Sequence, residues 1–196
     1  MGFGIVLVAI LPALLVAAAV FDLTSFTIPN IVPAAMILLF AAFLVYTVIV
    51  GHSLSWNQTA MHVMAGIIGL GVGMGMFALG WVGGGDAKLF AVATLWLGWD
   101  ALYEYTVLTT LLGGVLTIAL ILLRRIVLPR ILAEQPWLAR LADGKSGVPY
   151  GVALSMAALI VLPNTEQTLL SRDFFERCVK FNSLRPDGTN PCSAAR

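Results

Sequence analysis

Long apolar stretches follow one another along this chain, and each is close to the length of a bilayer crossing. The runs at 3–21, 29–50, 60–80, 87–101, 104–123 and 148–163 hold among them only Lys88, Asp100 and Glu104 as formal charges. A hydrocarbon core of about 30 Å takes about 20 apolar residues per helical crossing. A strand alone in lipid would leave its backbone polar groups unpaired, so the runs are expected to be helices. Charged residues make up 11% of the chain, against about 25% in ordinary soluble domains. The fold expected is all-α and polytopic, with about six transmembrane helices. A membrane domain would span 1–163, and a polar tail, 164–196, would lie outside the cytoplasm. The fourth and sixth runs are short, so those helices would tilt, re-enter or thin the bilayer locally. The first run lacks the basic n-region of a signal peptide and reads as a span.

Net charge is +1. No basic stripe interleaves with aromatics, so nucleic acid is not an expected partner; the lipid bilayer is. Between runs five and six lie Arg124, Arg125, Arg130, Arg140 and Lys145, which assigns that connection to the cytoplasm. Its apolar residues and Trp137 suggest a segment lying along the interface. Alternation then puts the 22–28 and 81–87 connections on the same face. It puts 51–59, 101–104 and the termini on the other.

Two carboxylates stand out in this frame. Asp22 closes the first run, and Asp86 follows Gly83, Gly84 and Gly85 at the start of the fourth. Two crossings separate them, so parity alone puts both on one membrane face. A single aspartate at a span end is ordinarily an interfacial cap. A same-face pair at membrane depth is a functional hypothesis. Two close carboxylates can share one proton, one activating water as a general base and the other polarising a carbonyl as a general acid. Titration belongs to such a pair jointly, and which member is protonated stays open. The three glycines leave backbone bare for an extended peptide and a sharp turn into the helix. Ile28-Pro29-Asn30 reads as a turn with proline at a helix start.

Other features carry less. The third run has four-residue glycine spacings at 69/73 and 71/75, which suit close helix packing; no G-x-G-x-x-G register exists there for a phosphate loop. Gly144-Lys145-Ser146 lacks the earlier glycine that a nucleotide site needs, since position 139 is Ala139. Cys178 and Cys192 fall in the tail, as a disulfide or as two free thiols. With His52 and His62 apart from them, no metal or organic cofactor is expected.

Gly83-Gly84-Gly85-Asp86-Ala87-Lys88-Leu89 resembles the G-x-G-D motif of type IV prepilin peptidases. Asp22 with Ile28-Pro29-Asn30 resembles that family's first aspartate and its following I-P-N, and Val148-Pro149-Tyr150-Gly151-Val152-Ala153 resembles the opening of its last span. Presenilin-like enzymes share G-x-G-D, but their Pro-Ala-Leu motif comes late, whereas Pro12-Ala13-Leu14 here precedes both aspartates. The resemblance implies a membrane aspartic endopeptidase of the bacterial inner membrane, working at the cytoplasmic face on a prepilin or pseudopilin. Asp22 and Asp86 would be catalytic, with Gly83, Gly84, Gly85, Lys88, Pro29 and Asn30 shaping the site. The chain opens on a span and has no Cys-x-x-Cys, so it resembles the short Flp/Tad-pilus type, and methyltransferase activity is not supported. The 23–27 loop lacks the basic residues often found in the family. A rival expectation is a non-enzymatic transporter using its carboxylates for protons or cations, or a pilus-assembly partner with a degenerate site. Oligomeric state and the identity of the pilin are left open.

Overall fold

A computed structural model describes residues 2–49, 54–125, 141 and 147–165, with side chains from residue 10 onward. Those residues are helical and include no strand: α1 (Gly2–Ser25), α2 (Ile31–Ile49), α3 (Trp56–Ala78), α4 (Gly84–Leu123) and α5 (Tyr150–Val161), followed by a 3₁₀ turn, Leu162–Asn164. Of these, α2, α3 and α4 are long and apolar enough to cross a membrane. Large apolar side chains point outward all along the bundle, including Leu38, Val48, Ile67, Met74, Leu111 and Ile118. In water such a belt would aggregate; in lipid it is the solvated surface.

Local chemistry sets the helix ends. α1 continues past Asp22 for another turn, where Thr24 Oγ1 donates to Val20 O at 2.7 Å and Ser25 Oγ to Phe21 O at 2.6 Å. Phe26, at φ 54°, then turns the chain out of the helix. α2 begins at Ile31, so Pro29 sits ahead of the helix rather than in its first turn. α3 starts on a capping box, Ser55 N–H donating to Gln58 Oε1 at 2.9 Å and Gln58 N–H to Ser55 Oγ at 3.2 Å.

The fourth and fifth runs form two helical arms joined end to end as α4, and they divide at Gly98 rather than at 101–104. Its 40 residues would measure about 60 Å if straight. Gly98 breaks it, at φ 77° and ψ −176°. Phe90 and Tyr105 lie on opposite sides of that break and stack with ring centroids 5.5 Å apart. A straight helix would separate those positions by about 22 Å, so the two arms fold back toward each other.

Glycines let α3 run antiparallel against the first arm. A Cβ on Gly66 would meet Leu95, one on Gly69 would meet Thr94, and one on Gly73 would meet the Ala87 backbone. Gly71 and Gly75 face open space, so the 69/73 spacing packs helices and the 71/75 spacing does not. Trp96 anchors the same arm to α2. It is fully buried, donates Nε1–H to Met36 O at 3.0 Å, and meets Phe40 edge-on at 5.3 Å.

Most of the basic connection, including Trp137, lies outside the described residues, as do Cys178, Cys192 and the tail beyond Thr165.

Candidate active site

Asp22 and Asp86 come to the same end of the bundle. Asp22 lies in the last turn of α1 and is 3% exposed; Asp86 lies in the first turn of α4 and is 9% exposed. The two carboxylates are within electrostatic reach of each other. Gly83, at the N-cap of α4, donates its N–H to Asp86 Oδ2 at 3.2 Å. This is the acidic half of a capping box, and it holds the carboxylate over a helix start, where free N–H groups favour an anion.

A third element completes the site. α5 begins after Pro149, and the N–H of Gly151, one of the unpaired donors of its first turn, faces both carboxylates. Asp22 Oδ2 is buried without a hydrogen-bond partner. Between the helix ends passes the 26–30 loop. Its Ile28 is buried and fills the space over both Gly85 and Gly151: a Cβ on Gly85 would lie 3.2 Å from Ile28 Cβ, and one on Gly151 2.8 Å from Ile28 Cδ1. Lys88 Nζ donates to Asn30 Oδ1 at 2.8 Å and ties this loop to α4.

The structure therefore gathers Asp22, Asp86, Gly83 and Gly85 at one point, with Lys88 and Asn30 as a brace at its rim. Pro29 shapes the loop, its carbonyl accepting from Val32 N–H at 3.0 Å. The room beside the glycines is used by the protein itself: the Asp86 carboxylate lies against Gly83, the Phe77 ring against Gly84 and Ile28 against Gly85. Ile28 and Gly151 were not singled out as site residues from the sequence. The signal for Gly151 was a bare residue in the first turn of a helix; for Ile28 it was an apolar residue in a short loop beside the acid. Arg124, at the end of α4, donates to Leu141 O at 3.1 Å and Gly147 O at 3.2 Å, so the basic connection begins and ends near the α5 start. A separate cleft of about 350 Å³ opens around Gly98, lined by His62, Trp99, Asp100 and Glu104 among others. It lies far along the helices from the carboxylates. Among the described residues no three His, Cys, Asp or Glu side chains come together as metal ligands.

Apolar helices closing over an acidic pair at one end of their bundle define a polytopic helical membrane protein with a buried carboxylate site. The chain belongs to the type IV leader peptidase family, whose model matches residues 9–118, more than half its length. Membership makes it a peptidase and implies a prepilin substrate. The match takes in both Asp22 and Asp86 and ends before Gly151. No curated protein and no solved structure matches the chain.

Proposed function

We propose that this protein is an aspartic endopeptidase in which Asp22 and Asp86 are the catalytic pair. Its task would be to remove the leader of a type IV prepilin at the cytoplasmic face of a bacterial inner membrane. The observation that carries the reading is the convergence of two buried carboxylates, from helices far apart in sequence, on one backbone N–H. Removing two acids from water is costly, and a fold that needed only caps would leave them at its surface.

The chemistry follows from a pair sharing one proton. The ionised carboxylate takes a proton from water as its oxygen attacks the scissile carbonyl carbon. The protonated partner gives its proton to the carbonyl oxygen, producing a neutral gem-diol. Collapse breaks the C–N bond, re-forms the carbonyl, and delivers a proton to the departing amine. Water supplies the atoms added, and the pair ends as it began. Substrate entry requires Ile28 to withdraw from Gly85, which would bare the backbone of the Gly83–Gly85 turn for an extended peptide.

Orientation rests on charge. Lys88, Arg124 and Arg125 belong to the end of the bundle that holds the carboxylates, and Asp100 and Glu104, helical residues just past the Gly98 break, to the other, as the positive-inside rule has it. A Flp-type pilin is the substrate to try first, on the motif resemblance. The test is co-expression with such a prepilin, comparing wild type with Asp22→Asn and Asp86→Asn by mass spectrometry of the pilin. Loss of the leader with wild type alone supports the reading. Cleavage by a well-expressed Asp86→Asn overturns it. An assembly role that survives loss of both acids would favour a degenerate site.

A further inference from the structure

We infer that Gly151 is a positioning residue for the carboxylate pair: its missing side chain lets Asp22 close on the start of α5, where one N–H is shared with Asp86. This rests on the proposed catalytic role of the two aspartates. Three observations carry it. A Cβ on Gly151 would lie 2.8 Å from Asp22 Oδ2 and 2.9 Å from its Cγ, closer than unbonded atoms tolerate. The Gly151 N–H faces both carboxylates, so a shift of α5 or of Asp22 disturbs both acids together. Asp22 Oδ2, almost fully buried, has no hydrogen-bond partner, and the only backbone N–H groups facing the Asp22 carboxylate are those of Gly151 and Val152, both at the start of α5.

A side chain at 151 would act in two separable ways. Against Ile28 Cδ1, also 2.8 Å from the built Cβ, it meets the far end of a flexible side chain, which can move aside. Against Asp22 it meets the carboxylate itself, which can yield only by leaving its present position in the pair. The first is a packing conflict; the second disarms the pair. Misplacing a reacting group by about 1 Å can cost about 10²-fold in rate. The expected signature is therefore a fall in kcat with KM retained, because the added Cβ falls on the Asp22 carboxylate.

The experiment measures kcat and KM on a prepilin for Gly151→Ala, with thermal unfolding in detergent as the fold check. Gly114→Ala serves as control, since a Cβ there meets nothing within 4 Å. Gly151→Ala combined with Ile28→Val removes the Cδ1 conflict and takes over if the single variant does not fold. We expect kcat about 10²-fold down in the folded variant, KM unchanged, and no recovery on adding Ile28→Val. Wild-type kcat in either folded variant overturns the inference, as does full recovery by Ile28→Val, which would reduce Gly151 to packing. Asp22→Asn and Asp86→Asn are run alongside. If they cleave normally, the catalytic reading fails; if they are dead while Gly151→Ala is active, only the role of Gly151 fails.

Discussion

His62 and Gly98 hold each other in place at the turning point of α4. The imidazole packs against the bare face of Gly98, where a Cβ would lie 2.6 Å from its Cε1, and its Nδ1 hydrogen-bonds Leu95 O at 3.0 Å. That carbonyl only accepts, so Nδ1 carries the proton. Gly98 supplies a backbone conformation closed to other residues, and His62 occupies the space the absent side chain leaves.

Replacing Gly98 should consequently be among the most damaging single changes in the bundle. Its φ of 77° with ψ near 180° costs other residues about 1–3 kcal/mol, before any clash with the ring. Gly98→Ala is expected to lower stability by at least about 2 kcal/mol, measured by unfolding in mixed micelles. Adding His62→Ala should restore part of the loss, because it relieves contact without relieving strain. Full restoration would show that the backbone conformation is not constraining.

The glycines of α3 divide into two sets with opposite expected behaviour. Gly69→Ala and Gly73→Ala push against Thr94 and the Ala87 backbone and should destabilise by about 1–3 kcal/mol. Gly71→Ala and Gly75→Ala meet open space and should stabilise by up to about 1 kcal/mol through helix propensity. Thermal unfolding of the four variants checks this. Equal losses at all four would mean that the outward face of α3 is covered by something else.

Neutralising the acids should separate stability from activity. Asp22→Asn and Asp86→Asn remove buried carboxylates, so melting temperatures should stay level or rise. Cleavage of a prepilin should drop by about 10²–10⁴-fold in each. Parallel loss of fold and activity would point to a structural role for the pair.

The Lys88–Asn30 brace lies at the surface, so its worth is limited. Lys88→Met and Asn30→Ala should each cost under about 1.5 kcal/mol. The double variant should be scarcely worse than either alone in a mutant cycle on turnover, because one contact is removed by either change. Additive losses would mean that the two residues act separately.

Much of this architecture was legible in the residues. Apolar run lengths located the helices, and crossing parity put Asp22 and Asp86 at one end. What escaped was tertiary in origin. The break falls at Gly98 and not at 101–104; Asp100 and Glu104 look like a loop, while one glycine in an apolar run does not. The capping box of Ser55 and Gln58 is written plainly in the sequence as S-x-x-Q. Only one of two identical glycine spacings packs, because helix rotation, which no spacing encodes, chooses the face. Ile28 and Gly151 became site residues only when three helix ends met.

The meeting at Gly151 also sets a schedule. Translation delivers α1 and α4, with both acids, well before α5 leaves the ribosome. Until α5, the last helix among the described residues, docks, the backbone N–H that faces both carboxylates is missing. A product stopped before Val148 would retain every residue by which the family is matched and lack the helix start that both carboxylates face.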